Sequence, residues 1–212
     1  MTKLFSLFVL VLFFASCSGS SDAPKPLCDT VCQNDTVVFR SSHIQEPYVK
    51  IILEQCNANR IIWSHSNSSN HRRIEIPDYI KKLVRINASA SDAFFKDTSY
   101  LWLTFNDCIS SRGYAIKLPF NKKDDILCYS SALNRFDPKF VVAEGLICYS
   151  NYRYVYVEDV ATGKAAKLEL SKTALNIDFN SIHNTFDSVN ISRNRIFVKM
   201  KDKEPLESLI SL

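Results

Sequence analysis

The stretch YLWLTFNDCISSRGYAIKLPF, residues 100 to 120, holds the reading on which the fold turns. Leu101, Leu103 and Phe105 recur with period two, and so do Tyr114, Ile116, Leu118 and Phe120. Period two is the spacing at which side chains of one strand share a face. Between the two runs lie a polar residue, the cysteine Cys108 and a polar turn. The pattern predicts two strands joined by that turn.

The same order recurs elsewhere. ILEQCNANRIIWS, residues 52 to 64, is again strand, polar residue, cysteine, polar turn and strand. LICYSNYRYVYVEDVATGKAAKLEL from Leu146 and SVNISRNRIFVKMK from Ser188 read as two further packets. In them Val155 and Val157 oppose Tyr154 and Tyr156, while Ile196, Val198 and Met200 oppose Phe197 and Lys199. Val49, Ile51 and Leu53 share a face just ahead of the first packet, and DTVVFR and KFVVAEG are further β-rich runs. Gly163, in the turn from Asp159 to Lys164, is placed for a left-handed residue. Glycines number only 4, so Asn57, Asn59, Asn106, Asn151 and Asn194 are expected to fill other left-handed positions. Ile80, Leu83 and Val84 have helical spacing, which predicts one helix over residues 78 to 86. Each packet has the look of a propeller blade, four are few for a closed propeller, and WD or kelch signatures are lacking. The expected fold is all-β and mostly antiparallel: a partial β-propeller-like array or a β-sandwich, with one short helix.

The N-terminus speaks of destination. Lys3 precedes an apolar run, Leu4 to Phe14, too short to span a bilayer as a helix, which takes about 20 residues. With Ala15 and Ser16 after it, the run reads as a secretory signal. Phe14-Ala15-Ser16-Cys17 resembles the lipobox of bacterial lipoproteins, with Phe14 where Leu is usual. The resemblance implies that the signal, residues 1–16, is removed and that Cys17 receives lipid. Ser18 in place of Asp implies an outer membrane. A plain secretory signal is the alternative. Ser18 to Pro26 is small, polar and proline-bearing, so residues 17–27 read as a lipidated cysteine and flexible tether, and 28–212 as the β-rich domain.

Composition narrows the function classes. Removing residues 1–16 leaves 196 of 212, and takes one of 26 basic residues, so 25 bases face 22 acids, a formal +3. A basic stripe interleaved with aromatics is lacking, which argues against nucleic acid. His71-Arg72-Arg73 and Lys122-Lys123 read as solvated surface. Six cysteines follow Cys17, an even number in an exported chain, so disulfides are expected. Cys56 and Cys108 hold equivalent places in similar packets and are the expected pair. Cys28 and Cys32 then pair locally or stay with the tether, and Cys128 and Cys148, in apolar contexts, remain buried thiols. Zinc lacks a second close cysteine pair and a nearby histidine, so neither metal nor cofactor is expected.

Catalytic patterns are weak. Thr162-Gly163-Lys164 lacks the first glycine and the Ser/Thr of a phosphate loop, so it is a hairpin turn. His65 and His71 sit in a Ser/Asn-rich loop, His43 and His183 are isolated, a nucleophile elbow does not occur, and Asp124-Asp125 lie in a charged turn. Trp63, Trp102, Tyr152, Tyr154 and Tyr156 are candidates for an aromatic face that binds sugar or peptide, against the commoner role of strand aromatics as cross-strand packing. Asp29-Thr30-Val31, Asp35-Thr36-Val37 and Asp187-Ser188-Val189 resemble the O-glycosylation motif of Bacteroidetes exported proteins, which implies sugar on Thr30, Thr36 and Ser188. Taken whole, CDTVCQNDTVVF, TFNDCISSRGYAIKLPF, FDPKFVVAEGLICY and EDVATGK make the chain similar to lipoproteins of Bacteroidetes-type bacteria. That resemblance covers most of the mature chain and implies no activity. The expectation is a lipid-anchored protein of the bacterial cell envelope, at the outer membrane, that acts as a binding or scaffolding module for an envelope protein or glycan. The alternative is an exported enzyme, such as a hydrolase, whose active site is dispersed in sequence.

Overall fold

Leu101, Leu103 and Phe105 point to one side of their strand and Trp102 to the other, and all four are buried. A strand covered on both faces belongs to an inner sheet of a stack. That arrangement organises the chain. The computed structural model describes residues 32, 34–68, 70–151, 153–170 and 182–212.

In chain order the strands are β1 (Val37–Arg40), β2 (Tyr48–Glu54), β3 (Asn57–Ser64), β4 (Arg72–Glu75), β5 (Asp92–Lys96), β6 (Tyr100–Asn106), β7 (Gly113–Pro119), β8 (Leu127–Tyr129), β9 (Phe140–Val142), β10 (Leu146–Ser150), β11 (Tyr154–Asp159), β12 (Ala165–Glu169), β13 (Phe186–Ser192), β14 (Arg195–Met200) and β15 (Leu206–Leu209). They make four sheets, ordered β1-β2-β3-β4, β5-β6-β7-β8, β10-β11-β12 and β15-β14-β13-β9. The first three are antiparallel meanders of consecutive strands, as the packets predicted. In the fourth, β9 leaves the connection between the second and third sheets and pairs parallel with β13. The chain thereby latches the fourth sheet to the middle of the array.

Three buried clusters join the sheets in series. Val49, Ile51, Leu53, Ile61 and Trp63 of the first sheet meet Leu101, Leu103, Phe105, Ile116 and Leu118 of the second. Trp102 and Ala115, on the opposite face of the second sheet, meet Ile147 of the third. Cys148, Val155 and Val157, on the third sheet's other face, meet Val189, Ile191, Ile196 and Val198 of the fourth. Strict alternation along β6, β10 and β11 is what lets each inner sheet feed two cores. The fold is all-β and mostly antiparallel, with four sheets packed in series and none closed into a barrel.

Two local expectations are corrected. The helix runs Ile76–Ile80, and Lys81 ends it in a left-handed conformation, its N–H donating to Pro77 O. Beyond it the chain is extended, because the core takes Val84 and Ile86 while Leu83 stands 61% exposed. The five asparagines do not supply the left-handed turns. Among the described non-glycine residues those positions are Glu46, Gln55, Cys56, Lys81, Asp97, Ser111 and Asp202. Gln55 and Cys56, both at positive φ, form the two-residue turn between the paired Glu54 and Asn57. Such a turn matches the twist of a hairpin. It falls ahead of Asn57, which enters the strand instead. Gly163 takes the left-handed position expected of it, at φ 74°.

Candidate functional site

The edge strands β1, β5, β9 and β10, one from each sheet, converge on a cavity of about 250 Å³. Phe39, Phe94, Leu133, Val142 and Ile147 give it apolar walls, and Asp92, Thr104, Asn134, Arg135 and Glu144 supply polar groups. The Arg135 guanidinium forks onto the Asp92 carboxylate, donating from Nε to Oδ2 at 3.0 Å and from a terminal nitrogen to Oδ1. Arg135 is largely exposed while Asp92 is not, so the pair stands at the mouth with its cation outward. Asn134 is buried and donates to Asn106 Oδ1 at 2.7 Å. Apolar walls with a few fixed polar groups are the usual make-up of a small-ligand site. Cys148 also lines the cavity, but burial pushes its thiol far up, so it is a packing group there and not a thiolate. Among the described residues the lining includes no histidine, and the Asp92 carboxylate is already paired with Arg135.

A second polar centre lies between the second and third sheets. Glu158 on β11 accepts from Tyr100 Oη at 3.0 Å, Trp102 Nε1 at 3.0 Å and Lys117 Nζ at 3.1 Å. Lys117 also sits over the Tyr100 ring at 3.9 Å. Beside this clasp Tyr129, Tyr149 and Tyr156 stack in series, with ring centroids 3.9 Å and 5.2 Å apart. Tyr149 and Tyr156 are direct cross-strand partners.

The aromatic candidates therefore part company. Trp63 is fully buried, its indole N–H donating to Pro119 O at 2.9 Å. Trp102 is buried against the tyrosine stack. Neither belongs to an exposed face, because the alternating face of a covered strand meets the next sheet. Tyr154 and Tyr156 are half-buried on β11, and Tyr152 lies outside the described residues. The clasp at Glu158 escaped sequence reading, since its four residues come from three strands of two sheets.

The cysteines pair differently from expectation. Cys56 bonds to Cys32, with Cα atoms 4.9 Å apart. The expected Cys56–Cys108 bridge is not made, although Cys108 is itself disulfide-bonded. Asn34, two residues beyond Cys32, lies at the β2–β3 turn, where its Oδ1 accepts from Cys56 N at 3.0 Å. Cys128 and Cys148 are free thiols, half-buried and buried. Burial pushes the Cys128 thiol up to about 11. Cys17, Cys28 and Thr30 lie outside the described residues. Thr36 is exposed ahead of β1, and Ser188 is half-buried within β13.

His65 and His71 are brought together with Arg40, Glu46 and Tyr48 around a shallow pocket of about 240 Å³. His65 Nδ1 is buried there with no hydrogen-bond partner. Among the described residues no group of three or more His, Cys, Asp and Glu is placed to hold a metal, and no helix is long and apolar enough to cross a membrane. Comparison with known proteins returns no matching family model, no matching curated protein and no matching solved structure.

Proposed function

We propose that the chain is a lipid-anchored binding module of the bacterial cell envelope, held at the outer membrane by Cys17. The cavity at the meeting of the four edge strands is its ligand site. The observation that carries the binding half is that cavity: apolar walls drawn from all four sheets, with the Asp92–Arg135 pair at its mouth. A ligand suited to it has a compact apolar portion and a polar end that can both donate and accept, as a peptide side chain with its backbone or a sugar ring does. The Ala15-Ser16-Cys17 junction and the tether after it support the anchor, and the Cys32–Cys56 bridge accords with an oxidising compartment.

Each half has its own test. In cells fed labelled palmitate, the natural chain takes up label and fractionates with membranes, whereas Cys17→Ser leaves an unlabelled, uncut precursor. Processing and membrane retention of the Ser chain overturn the anchor. For the cavity, arrays of envelope glycans and short peptides are probed with the natural chain and with Ala143→Trp, which fills the space. Binding that disappears in the filled variant supports the site, and binding that persists there unchanged places it elsewhere.

A further inference from the structure

The outer strands of the four sheets are edges, and most of these edges are guarded. β4 carries Arg72, Arg73 and Glu75, β12 carries Lys167 and Glu169, and β15 carries Glu207. β8 and β9 are only 3 residues long. β1 has 4 residues and closes on Arg40. β10 is covered in part, since Leu133 N donates to Cys148 O at 2.9 Å and Ser150 N to Ser131 O at 3.1 Å. Charge, shortness and cover are the usual protections of an open edge. β5 lacks all three. Ala93, Phe94 and Phe95 are apolar, and its 5 residues run in unbroken register with β6. Its charges stand at its two ends, where Asp92 is turned to Arg135 and Lys96 to Ala161 O. Among the described residues, the backbone from Asp92 to Phe95 bonds only to β6.

This edge is also recessed. Ala93 and Phe95 pack on the core between the first and second sheets, and Phe94 on the core between the second and third. All of β5 is half-buried, whereas β1, β12 and β15 expose alternate residues. The cavity touches Asp92, Ala93 and Phe94 in succession. Consecutive residues of a strand point to opposite faces, so the space runs along the edge of β5 and not over one face. Alternate residues of an antiparallel edge strand turn their N–H and C=O groups away from the sheet.

We propose that this space takes an extended peptide segment of a partner protein, which joins the second sheet as an added strand beside β5. The inference rests on the cavity reading and names its ligand class. The occupant follows from what the edge offers. Main-chain donors and acceptors in the repeat of a strand are matched along their length by another main chain, and not by a sugar ring. The recess favours a slender occupant. A single strand lies about 4.8 Å from β5, whereas a second copy would bring its own flanking sheets against β1 and β10. The 5 residues of β5 span about 17 Å, so about five peptide residues pair with it. Alternate side chains of the peptide then meet the apolar walls at Phe39 and Ile147.

The test presents the full chain with a library of acetylated, amidated heptapeptides that alternate serine with valine, leucine or phenylalanine. Expected is binding that slows amide hydrogen exchange over residues 92–96 of the natural chain and is lost in Ala143→Trp. In the tightest peptide, N-methylation of one alternate set of residues should weaken binding about tenfold or more, while methylation of the other set is tolerated. Equal binding of the two methylated peptides, or exchange over 92–96 that stays as in the free chain, overturns strand addition. If the peptides fail but an envelope glycan binds the natural chain and not Ala143→Trp, the peptide inference falls and the cavity reading stands. If neither class binds, both fall. Sedimentation of the free chain as a dimer, with 92–96 already protected, assigns the edge to a second copy and likewise overturns the proposal.

Discussion

Glu158 accepts the indole N–H of Trp102 at 3.0 Å across the seam between the second and third sheets. The same carboxylate takes Tyr100 and Lys117, and its side chain is only 15% exposed. One acid thus satisfies three donors that the packing of the two sheets would otherwise strand. Glu158→Leu removes the acceptor and leaves the donors in a poorly solvated seam, which costs about 2–4 kcal/mol. Glu158→Gln keeps one acceptor oxygen and costs about 1 kcal/mol. Urea unfolding with disulfides intact measures both, and equal stability of the Leu variant and the natural chain would falsify the clasp.

The clasp also sets an alkaline limit. Burial, then the charge and hydrogen bond of Glu158, raise the Tyr100 hydroxyl from 10.0 to about 12. Its folded value lies above its unfolded value, so the folded chain holds this proton where the unfolded chain has released it. The contribution is complete below about pH 10 and is lost as pH rises through about 12. Glu158→Gln should bring the Tyr100 titration down, because one of its causes is gone. NMR of carbon-labelled tyrosine reads this directly, and a Tyr100 titration unmoved by the substitution rejects the coupling.

Much of this architecture was legible because period two survives in every packet. Val49, Ile51 and Leu53, or Ile196, Val198 and Met200, face a core as the pattern requires. The error over Trp102 came from assuming one wet face. YLWLTF is apolar on both faces, and that run already marks a strand covered by two sheets. The cavity was not legible, since Phe39, Asp92, Arg135 and Ile147 come from separate parts of the chain and share no local pattern. Nor was the disulfide. Equivalent positions in two packets suggested Cys56 with Cys108, whereas pairing depends on which segment arrives at the turn.

That pairing has its own consequence. The Cys32–Cys56 bridge closes a separation of 24 residues. Constraining the unfolded chain by such a loop stabilises by about 3 kcal/mol, so Cys56→Ser should lower unfolding free energy by about that much. Peptide mapping without reduction should recover the Cys32 and Cys56 peptides joined. Recovery of Cys56 joined to Cys108 would show the structure's pairing to be wrong.

The last prediction separates two glycines that look alike in sequence. Gly113 opens β7, and Ala132 N donates to its carbonyl at 3.1 Å. Ala132 also bridges Tyr149 of β10, so this one residue stitches the second sheet to the third. A Cβ on Gly113 would overlap the Ala132 carbonyl oxygen, which is backbone and cannot swing aside. Gly113→Ala must therefore part the stitch, at about 1–3 kcal/mol. Gly163 needs its freedom for a different reason. Its φ is +74° and the nearest atom to a new Cβ is Tyr100 Oη at 3.8 Å, so space is ample and only conformation objects. Gly163→Ala should cost about 1 kcal/mol. The variants also differ in what they disturb. Gly113→Ala should loosen the tyrosine stack and change near-ultraviolet circular dichroism, while Gly163→Ala should leave that signal intact. A Gly113→Ala chain with unchanged stability and an unchanged aromatic signal would show that strand β7 and residue 132 do not approach as the structure has them.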